Sequence, residues 1–173
     1  MSLMLSAAEY VSLKAPFGLD QICGTFGDIF TYLRPDQTLD PRWQAEQMIT
    51  ISLPFPLVLS WDHSRRVSHM TCHRLMQAIF IDCFQRIAGS GLWQQISSFG
   101  GCFSFRPQRT GTKLSTHSWG ISIDLNPETN AQGSAGNMHP EIVSIFRNAG
   151  FTWGGDWFGA NCDPMHYQFC SGY

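Results

Sequence analysis

Apolar residues step along this chain with two periods. Between positions 71 and 88, Cys72, Met76, Ile79, Phe80, Cys83 and Ile87 fall mostly three or four apart, the spacing that lines one face of an α-helix. The pattern predicts a core-facing amphipathic helix stopped by Gly89 and Gly91. A second helix is expected over 140–149, with Pro140 in its first turn, Ile142, Ile145 and Phe146 inward, and Gly150 at its end. Asp40-Pro41 has the form of a further helix start, an aspartate cap followed by proline at the first helical position. Elsewhere the period drops to two. Ile49, Ile51 and Leu53 alternate as a short strand that Pro54 and Pro56 should break, and 57–61 reads as another. Alternation also predicts strands over 102–106, 120–125 and 166–170. Residues 16–40, rich in Gly, Pro, Asp and Thr, read as irregular, within an irregular or helical N-terminal approach segment over 1–40. Helices packed on one side of a small, mainly antiparallel sheet make an α+β domain.

Composition narrows this picture. A chain of 173 residues fits one domain with a substantial core. Its formal net charge of −2 gives no reason to expect nucleic acid as a partner. No stretch approaches the ~20 apolar residues that cross a bilayer. The start, Met1-Ser2-Leu3-Met4-Leu5, has no basic residue before its apolar positions, so no clear secretion signal is expected. None of the six cysteines forms a C-x-x-C pair, which argues against a structural zinc knuckle. Cys72 and Cys83 fit the helical pattern as small buried residues, whereas Cys162 and Cys170 are candidates to bridge each other.

Candidate chemistry sits in two clusters. Ser115-Thr116-His117-Ser118-Trp119-Gly120-Ile121-Ser122-Ile123-Asp124 holds a histidine and an aspartate with six residues between them. Asp163-Pro164-Met165-His166 follows about forty residues later. Two imidazoles and one carboxylate, His117, Asp124 and His166, form a ligand set for one catalytic zinc with an open position for water. Such an ion lowers the pKa of its water from 15.7 to about 7. Asp124 lies in the apolar run Ile121-Ser122-Ile123-Asp124-Leu125, where a bare charge would be costly; metal ligation or a salt bridge to arginine would each satisfy it. Asp163 is a spare carboxylate able to act as general base, or simply the first residue of an Asp-Pro turn. His69 and His73 read as polar residues leading into the helix, and His63 and His139 as exposed turn residues.

These residues carry a resemblance. The run Ser115-x-His117-x-x-Gly120-x-x-x-Asp124, then Trp153-Gly154-Gly155-Asp156-Trp157, then Asp163-x-x-His166, resembles the zinc peptidases that cut peptidoglycan stem peptides. These include D-alanyl-D-alanine carboxypeptidases and dipeptidases, and the L-alanyl-D-glutamate endopeptidases found among phage endolysins. The likeness runs upstream through Gly101-Cys102-Phe103-Ser104-Phe105-Arg106 to Arg109, more faintly to Leu53-Pro54-Phe55-Pro56 and 75–87. It implies a hedgehog/D,D-peptidase-like fold over 50–170, within a single catalytic domain spanning 1–173. It also implies zinc held by His117, Asp124 and His166, with Asp163 as base and Arg106 holding the substrate oxyanion. Arg109 is the competitor for that role, or a carboxylate contact. Ser115, Trp153 and Asp156, with Trp157, are the expected substrate-binding residues. Aspartate rather than glutamate at 163 leans toward the endopeptidase. So does a scarcity of further cations, since Lys113 and Arg147 belong to no carboxylate-binding motif. The reading is a monomeric enzyme acting on the cell wall, made without a signal and released at lysis, or secreted by a signal since removed. A zinc-containing binding module without catalysis is the alternative from another class.

Overall fold

The computed structural model describes residues 13–109 and 112–173. The N-terminal stretch weighed above as a secretion signal lies outside the described residues. Four α-helices and a six-stranded sheet form an α+β architecture among the described residues. Helices α1 (Gly18–Phe26), α2 (Pro41–Gln47), α3 (Gln77–Gly89) and α4 (Pro140–Asn148) accompany strands β1 (Met48–Leu59), β2 (Asp62–His73), β3 (Phe99–Gly101), β4 (Ser122–Leu125), β5 (Thr152–Trp153) and β6 (His166–Gln168). The sheet order is β2-β1-β3-β4-β6-β5, and every neighbouring pair is antiparallel except β1 with β3.

Several sequence expectations are corrected, each for a local reason. The prolines do not break the first strand: β1 runs through Pro54 and Pro56 for 12 residues. Between the pairs Ser52↔His69 and Leu57↔Val67 the register advances five residues on β1 against two on β2. The prolines sit in that unladdered stretch with their rings exposed, where no N–H is required. Leu53, Phe55 and Leu57 stay buried, so the alternation survives.

The predicted helix over 71–88 starts later, at Gln77, because Thr71, Cys72 and His73 are taken by pairing with Thr50, Ile49 and Met48. Cys72 is therefore a buried strand residue, while Cys83 lies on the buried helix face. Within residues 16–40 the helical alternative is the one found. Ile22 and Phe26, one helical turn apart, bury the inner face of α1, and Asp28 caps a 3₁₀ turn over Ile29–Tyr32. The α2 start is as expected, with the Asp40 carboxylate accepting the Arg42 amide at 2.9 Å.

Residues 102–106 form no strand. Their backbone is bonded instead to the turn that follows: Ser104 N–H donates to His117 O at 3.1 Å and Ser115 N–H to Arg106 O at 2.9 Å. All six cysteines are free thiols, so Cys162 and Cys170 do not bridge; the Cys162 thiol donates to Ser134 O at 3.3 Å.

What positions the site is the centre of the sheet. The antiparallel register of β4 and β6 pairs Ser122 with Gln168, Ile123 with Tyr167 and Asp124 with His166. Because side chains alternate faces, Ser122, Asp124, His166 and Gln168 share one face, and Ile123 and Tyr167 the other. The second face is apolar and covered. Tyr167 stacks on Phe146 of α4 at 4.5 Å between ring centroids, and α4 packs in turn on α3. Asp124 and His166 thus emerge opposite the helices.

Candidate active site

His117 reaches this polar face from a 3₁₀ turn, Thr116–Trp119, immediately before β4. Ser115 caps that turn, its hydroxyl accepting the His117 amide at 3.4 Å. Gly120 closes it with a left-handed φ of +66°. A Cβ there would lie 2.8 Å from the His73 backbone nitrogen, so both conformation and space call for glycine.

Three donor atoms converge. His117 Nε2, Asp124 Oδ1 and His166 Nδ1 form a triangle with edges of 3.2, 2.9 and 3.2 Å, and all three residues are buried. Ligands about 2.0–2.1 Å from a tetrahedral zinc stand roughly 3.3–3.4 Å apart. The triangle is therefore within a few tenths of an ångström of one face of such a site. The remaining ring nitrogens support the same use. His117 Nδ1–H donates to Cys102 O at 2.7 Å, and His166 Nε2–H donates to Gln168 Oε1 at 3.1 Å. In the neutral form that a metal requires, each imidazole has its proton directed outward, away from the cluster.

Electrostatics at the cluster are set by mutual pairing. Burial pushes the Asp124 carboxyl upward, but in the metal-free site the adjacent His117 and His166, in their protonated forms, overcome it by charge and hydrogen bonding and hold the group ionised. Burial of His166 disfavours its cation, yet Asp124 and Asp163 raise its affinity for a proton. Asp163 behaves in the opposite way to Asp124. Its half-buried carboxyl is pushed up to about 6, chiefly by desolvation, and its Oδ1 has no hydrogen-bond partner among the described residues.

A cavity of about 840 Å³ opens over the triangle. It is lined by His117, Asp124, His166, Asp163, Arg106, Arg109, Ser115, Asp156 and Trp157, so most of the sequence-predicted residues are brought together. Trp157 packs on the His166 ring at 5.7 Å between centroids. Trp153, expected as a cleft wall, is not among the lining residues. Its indole N–H donates to Pro164 O at 2.8 Å and its ring lies 5.4 Å from the Arg147 guanidinium. It buttresses the loop bearing Asp163. Asp156 faces the cavity while its carboxylate pairs with Arg147 at 2.5 Å.

Two glycines of Trp153-Gly154-Gly155-Asp156-Trp157 have a steric reason. A Cβ on Gly154 would collide with the Asp163 carbonyl oxygen, and one on Gly155 with the Trp153 ring. Gly154 O also accepts the Asp163 amide at 2.9 Å.

Sequence reasoning passed over some residues here. Lys113, set aside for want of a motif, lines the cavity, with Nζ 5.1 Å from the Tyr173 ring centroid. Gln168, two positions after His166, lines it too; period-two alternation on a strand was the available signal. The other histidines lie elsewhere. His69 is exposed on β2, and His63 pairs with Glu128 at 3.0 Å. His139 is half-buried rather than exposed, because Nδ1 accepts the Glu141 amide at the start of α4. His73 is fully buried between Phe26 O and the Leu75 amide.

The family model described as D-alanyl-D-alanine carboxypeptidase matches residues 108–169. That segment contains both clusters and the intervening Trp-Gly-Gly-Asp-Trp run. No curated protein and no solved structure matches the chain.

Proposed function

We propose that this chain, whose residues 108–169 match the D-alanyl-D-alanine carboxypeptidase family model, is a zinc peptidase that cuts the L-alanyl-D-glutamate bond of peptidoglycan stem peptides. The observation that carries the reading is the donor triangle of His117, Asp124 and His166 beside an unpartnered Asp163 oxygen, all on one cavity.

A zinc ion held by those three residues would supply positive charge to activate water and polarise the scissile carbonyl. The protein's part is then division of labour between two carboxylates. Asp124, held ionised by its imidazole neighbours, serves as ligand. Asp163, outside the triangle and partly desolvated, takes a proton from water and returns it to the leaving amine. Arg106 is half-buried on the cavity wall, with one N–H on Pro107 O at 3.3 Å and the rest of its fork available to an oxyanion.

Substrate choice rests on the walls. The volume is near the upper end of the ~300–1,000 Å³ of small-molecule sites, which suits a peptide continuing on both sides of the cut bond. Arg106, Arg109 and Lys113 form no salt bridge among the described residues and face the same space. They suit a substrate bearing free carboxylates. This trio also favours the second reading, D-alanyl-D-alanine carboxypeptidase action, and it removes the scarcity of cations as an argument against it. The preference for the endopeptidase therefore rests on aspartate at 163 and on cavity size. With it go a hedgehog/D,D-peptidase-like fold, one zinc per monomeric catalytic domain, and action on the cell wall. The test is digestion of intact muropeptides followed by mass spectrometry. New D-glutamate amino termini are expected; free D-alanine without them would move the assignment to the second reading, and no cleavage of either bond would remove it.

A further inference from the structure

We propose that Gln168 is a positioning residue that fixes the tautomer and orientation of His166, so that Nδ1 rather than Nε2 is offered to the metal. The inference rests on the zinc reading above and deepens it.

His166 meets the triangle through Nδ1, 2.9 Å from Asp124 Oδ1. That nitrogen sits close to the backbone on a strand residue, so a small rotation of the ring would aim it past the other donors. It also needs its lone pair free, which requires the proton on Nε2. Gln168 meets both needs with one bond, Oε1 accepting from Nε2–H at 3.1 Å.

The amide is itself held in the orientation that makes this possible. Ser122 Oγ donates to Thr116 Oγ1 at 2.6 Å, and Thr116 Oγ1 donates to Gln168 Oε1 at 3.3 Å. On its other side Gln168 Nε2 donates to Cys170 O at 3.5 Å. A flipped amide would turn its NH₂ toward His166 Nε2–H and lose the carbonyl on Cys170. The chain Ser122–Thr116–Gln168–His166 is buried throughout, so each link lost would leave a largely desolvated polar group short of a partner. The sheet provides it at no extra length. Gln168 is two residues from His166 and directly across from Ser122, so all face the same side.

Outer partners of metal-binding histidines commonly govern affinity by 10–100-fold. The experiment compares wild type with Gln168→Leu and Gln168→Glu by competition for zinc against a chromophoric chelator, and by ¹⁵N NMR of the imidazoles in the zinc-free proteins at a pH high enough to leave His166 neutral. Gln168→Leu is expected to weaken zinc binding about 10–100-fold and to lose the single Nε2–H state of His166. Gln168→Glu keeps an acceptor at the same place and should restore both. A Leu variant that binds zinc as tightly as wild type, with His166 still protonated only on Nε2, would overturn the role. So would a Glu variant no better than Leu. Should the Leu variant fail to fold, wild type alone decides: a His166 Nε2–H exchanging as fast as a solvent-exposed imidazole refutes the hydrogen bond. Zinc stoichiometry of the wild type separately tests the peptidase reading, so the two failures are distinguishable.

Discussion

Replacing Gly100 by alanine should weaken zinc binding at the proposed centre without replacing any of its candidate ligands. Gly100 is on β3, beside Asp124 on β4. A Cβ at this glycine would sit 2.8 Å from the Asp124 Cβ, 3.3 Å from its carbonyl oxygen and 3.5 Å from Pro127 Cγ. Carbon atoms pack best at about 3.5–4.0 Å, so the first contact is short by roughly 0.7–1.2 Å. Both atoms are anchored to backbone in neighbouring strands, and neither is the tip of a flexible side chain. Overpacking of this kind typically costs about 1–3 kcal/mol. Metal ligands tolerate displacements of about 0.2 Å, well below the required shift. The zinc-free protein can relieve the strain by letting Asp124 swing away, whereas the loaded protein must restore it. Zinc affinity should therefore fall by up to the whole strain, about 5–150-fold.

The assay is chelator competition for zinc alongside chemical denaturation of the zinc-free protein. Gly24→Ala is the control: it lies in α1 with open space around it and should add about 0.5–1 kcal/mol of stability with no change in zinc binding. Wild-type zinc affinity in Gly100→Ala would refute the claim that the β3–β4 approach holds Asp124 in place.

Three further outcomes follow from the site and its surroundings. Asp163→Asn should retain zinc while turnover drops about 10²–10⁴-fold, measured by steady-state hydrolysis of a muropeptide; an unchanged rate would leave Asp163 a turn residue only. Arg106→Ala should lower kcat more than it raises KM, because its charge is assigned to the oxyanion; a KM effect alone would transfer that role to Arg109. His73, whose pKa burial holds down at about 4 against an ordinary 6.5, should make stability fall as pH drops. The unfolded chain binds the extra proton between those values, so the contribution is complete above pH 6.5 and lost toward pH 4, about 3 kcal/mol in all. Urea titrations of wild type and His73→Gln should therefore converge as pH falls from 7 to 4.5; parallel curves would contradict it.

The site was legible because its ligands need particular residue types at particular spacings. Asp124 announced itself as a charge inside an apolar run, and the strand period assigned it a face. His117 could not be placed so simply, since it arrives on a 3₁₀ turn whose shape depends on Ser115, Gly120 and the backbone of 102–106. That dependence explains the failed strand prediction there. Alternation of Phe103 and Phe105 reads as a strand, but the neighbouring backbone groups bond to a turn. Pro54 and Pro56 misled for a related reason: proline forbids a ladder bond, and whether a ladder bond is needed depends on register with a partner strand. Trp153 and Trp157 are alike in sequence context, yet only the side-chain partners separate the loop brace from the cleft wall.

The location of the site in the sheet also has a physical logic. β4 and β6 are interior strands, each laddered on both sides, with β3 and β5 as their outer neighbours. A one-residue slip of β6 would send His166 and Gln168 toward α4 and bring Tyr167 into the cavity. The penalty for that slip is set on the opposite face, where Tyr167 stacks on Phe146 and Phe169 packs against Phe26 and Phe151. The aromatic contacts behind the sheet therefore define the register that places Asp124 across from His166. Packing on one face of two strands and the convergence of metal-ligating side chains on the other are consequences of the same alternation. That is why the pairing of β4 with β6 is enough to hold Asp124, His166 and Gln168 in their relative positions.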